Sequence, residues 1–507
     1  MAFQVVSYTS DAFRSLLISL SVAEASRVDA KLGAGYWAQY FAAIGVRTIV
    51  TESDYIDHDY LEDFSAYYVK CFTPYQRICH RLHFFTDSFD QQGLERHLDG
   101  ESDLGKGMLE SSYAGFMVVR PLPNSIIGRT CLAHYGPDGS RRRFPTSLPC
   151  HAHLFGHTLC VDTVPFQEQD QVTAACATSA LWSALHVTGR RFQHHVPTPV
   201  EITRSATQHM PLRSRAFPNT DGLTIEQMAH AIRAVGLEPY FVSGADELPL
   251  RAAVYAYVAA GIPALLVFSL RETAPNGTVR DRGLHAAAVT GFSQPSAGKG
   301  HGSHPVAAFS FAKIDKLYVH DDQVGPHARM ALMNSGQPGW HLSTSWGLQS
   351  SDAISAQPVA VLLPLYNKIR IPYKPPLVDS LNFAAGLDGL SHVVPGLADL
   401  GWDFRLTTLN QFRGELRESP HVSGVTRREL LTLPLPRFLW RATASRADVP
   451  IVDVLFDATD ITTGQYVRKV IVYDAALNTV INHVATLSGE IPDLLNRVFR
   501  KLGPPAP

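Results

Sequence analysis

The sequence predicts an α+β protein built from several parts, on three observations. The chain has 507 residues, a length that suggests two to four domains. Hydrophobic residues make up 45% and charged residues 18%, so the chain can bury real cores and is not disordered. Helical and strand-like periodicities also alternate along it without an internal repeat or a heptad pattern.

Residues 1–145 form a first mixed region. Helical periodicity runs from Asp11 to Lys31 and from Leu61 to Phe72. Strands are expected at Tyr113 to Arg120 and Ser125 to Leu132, separated by the breaker Pro121-Leu122-Pro123-Asn124. The turn cluster Tyr135 to Gly139 and the run Arg141-Arg142-Arg143 mark a boundary. A central domain, 146–371, follows. Pro372 to Pro376 reads as a linker into a third region, 377–507. Strands are expected there at Arg437 to Ala442, Pro450 to Phe456 and Arg468 to Tyr473, and a helix at Glu490 to Lys501.

Charge and cysteine usage narrow the function. The net charge is -2, so nothing points to nucleic acid or an anionic membrane. The six cysteines are sparse and fit reduced thiols in the cytoplasm. The stretch Leu16 to Val22 reads as a buried helix rather than a leader, and no run reaches the roughly 18 to 20 apolar residues of a membrane span.

The central domain carries the chemistry. A β-prone run from Leu159 to Pro165 leads through Phe166-Gln167-Glu168-Gln169-Asp170-Gln171 into a helix expected from an N-cap at Thr173 to Gly189. Cys176 then sits in the first turn, where unpaired N–H groups and the helix dipole favour a thiolate nucleophile. A helix is expected at Asp246 to Ala260, and Ile202 to Gln208 and Thr224 to Val235 frame a cleft. A strand at Ile262 to Leu270 is followed by Gly283 to Phe292, which opens with His285. A loop, Ser293 to Pro305, leads to the strand Lys316 to Pro326. Its alternation places Leu317, Val319 and Asp321 on one face and Tyr318, His320 and Asp322 on the other. The first face is the more apolar. Asp321 is therefore the expected partner of His285, with Asp322 as the alternative. Taken alone, a lone cysteine, a core histidine or a turn aspartate is a structural feature; the order of the three makes the case.

That order resembles the papain-like cysteine peptidase superfamily over roughly residues 160–330. The resemblance is closest to the C39-like, bacteriocin-processing-type branch, on Gln…Cys, then His285-Ala-Ala-Ala-Val-Thr-Gly-Phe, then a strand ending in an acid. It implies a central papain-like domain flanked by two mixed regions. It also implies a Cys176–His285–Asp321 triad, with a glutamine donating to the oxyanion: Gln169 by its place after Val-Pro-Phe, or Gln171. The implied activity is cleavage of a peptide or isopeptide bond in a protein or peptide substrate, with no cofactor and no metal. A transglutaminase or acyltransferase would use the same triad, and a scaffold protein would keep only a vestigial cleft. Ala177 departs from the family's residue after the cysteine. Ser345-Trp346-Gly347 echoes papain's Asn-Ser-Trp-Gly but lies far beyond His285 and lacks the Asn, so it is set aside.

Other sets weigh less. Cys150, His151, His153, His157 and Cys160 include soft ligands, but no knuckle spacing. Their alternation on a strand would point them to both sides. Cys79-His80, His194-His195 and His209 read as structural or loop residues, and Trp182 as core.

Overall fold

The structure is a computed structural model. It describes residues 3–479 except 33–34, 102–103, 106, 171, 174, 210–216, 218–221, 296–307, 334–339, 347–352, 390, 392–396, 398, 423, 463–465 and 475–476. It is mixed α+β, as expected, with antiparallel sheets. The chain forms two compact units. The first comprises 1–247, 261–294 and 315–365; the second comprises 248–260, 295–314 and 366–507. Within the first unit, hydrogen bonds from Thr130 to Phe166 and from Ile127 to Glu168 link the first sheet to the segment leading into Cys176.

In the first unit, strands β1 (Phe3–Ser7), β2 (Thr48–Tyr55), β3 (Cys79–Phe85), β4 (Tyr113–Val119) and β5 (Ile127–Leu132) make a sheet in chain order. Helices α1 (Ser10–Leu20), α2 (Ala25–Leu32) and α3 (Tyr36–Ile44) connect β1 to β2. The periodicity from Asp11 to Lys31 is thus two helices, broken where Ser21 caps α1. Phe13 of α1 and Phe41 of α3 meet Phe84 of β3 at centroid distances of 6.1 and 4.8 Å. Helices α4 (His58–Ala66), α5 (Gln91–Leu98) and α6 (Met108–Ser111) complete this part. The short β6 (Arg142–Arg143) precedes a hairpin of β7 (Leu148–Leu154) and β8 (His157–Thr163). Cys150, Ala152 and Leu159 of the hairpin join the core of the first sheet.

Helices α7 (Cys176–Phe192), α8 (Pro199–Thr207) and α9 (Ile225–Ala234) follow, then β9 (Leu237–Ser243). Strands β10 (Ala264–Thr273), β11 (Val279–Ser293), β12 (Lys316–Asp321), β13 (Gly325–Met333), β14 (His341–Ser343) and β15 (Ala353–Tyr366) pair in sequence. Since β15 also pairs with β10, these six close into an antiparallel barrel; β6 adds to β11 and β9 to β15. Helix α7 packs across β10, β11 and β12. It is buried on nearly every side, which its small Ala- and Ser-rich faces permit.

The second unit contains α10 (Glu247–Val258), α11 (Lys374–Gly389), β16 (Gly401–Thr408), α12 (Leu409–Glu418), α13 (Gly424–Thr432), β17 (Phe438–Arg446), β18 (Val449–Asp457) and β19 (Val467–Val472). Its four strands form an antiparallel sheet in chain order. The stretch expected as a linker, Pro372 to Pro376, runs into α11, whose first turn holds Pro375 and Pro376, because prolines are tolerated in a first turn whose N–H groups have no partner. The expected helix from Glu490 to Lys501 lies outside the described residues. Among the described residues, no helix is long and apolar enough to cross a membrane.

Candidate active site

The segment leading into α7 is anchored before the helix begins. His320 Nε2 bonds the Val164 carbonyl at 2.8 Å. Phe166 forms an antiparallel bridge with Thr130 of β5, with N–H···O distances of 2.7 and 2.8 Å. Ile127 N–H donates to Glu168 Oε2 at 3.1 Å, and Glu168 N–H donates to the Ile127 carbonyl at 3.1 Å. Asp170 accepts from Tyr68 Oη at 2.6 Å, from Val172 N–H at 3.0 Å and from Thr173 Oγ1 at 3.2 Å.

Thr173 is therefore engaged with Asp170 and does not cap α7. The helix starts at Cys176, with Ala175 as its N-cap. It runs three residues past Gly189, ending before Gln193 in the left-handed conformation (φ 59°). Cys176 is thus the first helical residue, where N–H groups have no intrahelical partner. Its thiol is free and half-buried. Gln169 is half-buried between the Phe166 bridge and Asp170. Gln171 lies outside the described residues. The buried glutamine of this stretch is Gln167, which the sequence reading passed over; its Nε2 has no hydrogen-bond partner among the described residues.

His285 lies on β11, opposite Phe268 of β10. Asp321 ends β12, and the tight turn to Gly325 brings two carboxylates to one imidazole. His285 Nε2 donates to Asp321 Oδ1 at 3.1 Å. Asp322 Oδ1 stands 3.2 Å from the same nitrogen but makes no aligned hydrogen bond. Strand alternation separates the two acids only while the strand lasts. It stops at Asp321, so Asp322 is free to turn toward the same ring. Gln323 N–H donates to Asp321 Oδ1 at 3.1 Å, the Asx turn that aspartate favours. Gly325 (φ 144°) lets the turn pass against Tyr36 of α3, whose ring a Cβ there would meet at 2.6 Å.

Trp346, set aside in the sequence, is part of this cluster. Its Nε1–H donates to Asp321 Oδ2 at 2.8 Å. Its ring meets that of His285 edge-on, at 5.1 Å between centroids. The Trp in Ser-Trp-Gly was the available signal, and its long distance from His285 along the chain hid it. Lys31, which no sequence pattern marked, also belongs here. It pairs with Glu168 and shares a small cavity with Asp322, Gln323, Phe166 and Trp37. Burial pulls its ammonium down to about 8, and Asp322 acts against this.

The charges follow from this geometry. Burial opposes a proton on His285, but Asp321 and Asp322 outweigh it and hold the imidazole well above its usual value. Burial likewise opposes a charge on Asp321. The His285 cation and the donors from Trp346 and Gln323 outweigh that, and keep the carboxyl below its ordinary value. Lys31 shares a cavity with Asp322, beside this pair. His285, Asp321 and Asp322 are also the one group of three ligand types among the described residues whose donor atoms lie within 4.8 Å of one another.

The soft-ligand set of the hairpin is divided by strand alternation, as expected. Cys150 faces the core, while His151, His153 and Cys160 face outward.

No family model and no curated protein matches this chain.

Proposed function

We propose that the protein is a papain-like thiol hydrolase that cleaves a peptide or isopeptide bond. The observation that carries this reading is the orientation of His285. Its Nε2 is committed to Asp321, so Nδ1 is the nitrogen left for a thiol. The strand that holds it packs against α7, which begins at Cys176. A base needs a nucleophile on one side and an orienting group on the other.

In the proposed reaction the Cys176 thiolate attacks the scissile carbonyl and forms a C–S bond. The His285 imidazolium gives its Nδ1 proton to the leaving amine as the C–N bond breaks. Water, deprotonated by the neutral imidazole, then cleaves the thioester, releasing a carboxylic acid and restoring the thiol. Asp321 holds the ring throughout. The Cys176 backbone N–H and a glutamine, Gln169 on the family pattern, would donate to the oxyanion, a type of contribution worth about 2.7–4 kcal/mol.

The test is the pH dependence of Cys176 alkylation by iodoacetamide in wild type and in His285→Ala. Rapid labelling below pH 7 that His285→Ala abolishes is the expected result. Labelling that follows an ordinary thiol near 8.5 and is indifferent to the substitution would overturn the reading. Mass spectrometry of products then separates hydrolysis, which yields two fragments, from acyl transfer, which yields a joined product.

A further inference from the structure

One histidine of the hairpin turns away from the others. His157, the first residue of β8, meets His97 in the last turn of α5, with their Nε2 atoms 3.2 Å apart. The ring centroids are 5.2 Å apart, so the two nitrogens lie between the rings rather than on their far edges. On its other side, His157 Nδ1 is 2.9 Å from Glu110 Oε1 of α6. A carboxylate can only accept, so the proton of neutral His157 sits on Nδ1 and its Nε2 presents a lone pair to His97. Three separate elements converge here. The pair opens onto a cleft of about 530 Å³ that Glu101, Leu104 and Met108 also line.

We propose that His97 and His157 bind a zinc-class divalent cation through their Nε2 atoms, with Glu110 orienting His157. A carboxylate on the far nitrogen of a ligating histidine fixes its tautomer and raises its basicity. Imidazole suits zinc, copper and nickel. With Zn–N bonds of about 2.0–2.1 Å, two ligands at a tetrahedral angle stand about 3.3 Å apart, close to the observed 3.2 Å. Without a cation the same contact needs a proton on His97 Nε2. Binding releases that proton to solvent. Two protein ligands leave positions for water or for a donor atom of a molecule in the cleft. The rim is accessible: the His157 and Glu110 side chains are 26% and 43% exposed.

The test uses the full chain, stripped with a chelator and titrated with Zn²⁺ by calorimetry, then with Co²⁺ to read the ligand field by absorption. His285→Ala is the control, because His285, Asp321 and Asp322 form a second convergent donor set. The expected result is saturable binding that His285→Ala retains. His97→Gln and His157→Gln should each weaken it at least tenfold, and Glu110→Gln about tenfold, as loss of such an orienting partner does. Glu110→Gln removes no ligand and no apolar core, which keeps the test independent of folding. Absence of binding, binding indifferent to the histidine substitutions, or binding lost in His285→Ala alone would each overturn the assignment. None of these outcomes bears on the thiol chemistry proposed above.

Discussion

Replacing Asp321 by Asn removes a negative charge 3.1 Å from His285 Nε2 while keeping the side chain's shape. At that distance an effective dielectric of about 20 gives an upper bound of about 5 kcal/mol for the lost attraction. Opposite charges this close shift a partner by about 1–3 pH units. Asp321 is 1% exposed and makes the aligned hydrogen bond. We therefore expect Asp321→Asn to lower the His285 titration midpoint. Asp322 is as near, at 3.2 Å, but unaligned and beside Lys31. Asp322→Asn should lower the midpoint by less, and Lys31→Met, which removes a positive charge, should raise it. The assay is the pH titration of imidazole resonances by NMR, with His285 assigned by the signal lost in His285→Ala. A wild-type midpoint at the ordinary histidine value, or one unmoved by Asp321→Asn, would refute the electrostatic account of the site.

Trp346→Phe keeps an aromatic ring beside His285 and deletes the Nε1–H donor to Asp321. A hydrogen bond to a charged group is worth about 1.5–3 kcal/mol, so urea unfolding should show a loss of that size; a loss below about 0.5 kcal/mol would mean that the bond is not formed. The His285–Asp321 pair should also give stability a pH dependence. Its contribution is fully present below the unfolded histidine value near 6.5 and is lost as pH rises through the raised folded value. The gap in unfolding midpoint between wild type and Asp321→Asn should be widest near pH 6 and narrow toward alkaline pH, whereas a constant gap would contradict the linkage. Gly115 in β4 has φ 117°, and a Cβ there would lie 2.0 Å from the Cys131 carbonyl oxygen across the sheet. Gly115→Ala should cost about 3 kcal/mol, read as a fall in melting temperature; a neutral substitution would show that the strand pairing differs from that described.

Much of the fold was legible because periodicity records which side of a local element is buried. The Ala- and Leu-rich spacing after Cys176 marked a buried helix, and the strand runs around His285 and Asp321 fell where β11 and β12 stand. The hairpin of β7 and β8 alternates as its residues alternate. Composition and hydropathy also excluded a membrane-spanning helix among the described residues.

What the sequence could not decide depends on contacts between elements distant along the chain. His285 and Asp321 meet because β11 and β12 are hydrogen-bonded neighbours, as their order along the chain suggested, but Trp346 joins them from beyond β14, a meeting that no local period encodes. Alternation could not choose between Asp321 and Asp322 because it governs a strand, and the second acid lies just past its end. Helix α7 starts at Cys176 rather than after Thr173 because Asp170 holds the threonine hydroxyl, a competition between side chains that propensity does not measure. Lys31 reaches the second acid from a helix near the chain's start, and His157 finds His97 on a separate helix. Residue types and their order determined most of the elements. Only the tertiary structure determined which charges share one buried space, since electrostatic coupling depends on distance in three dimensions and on the water excluded between the groups.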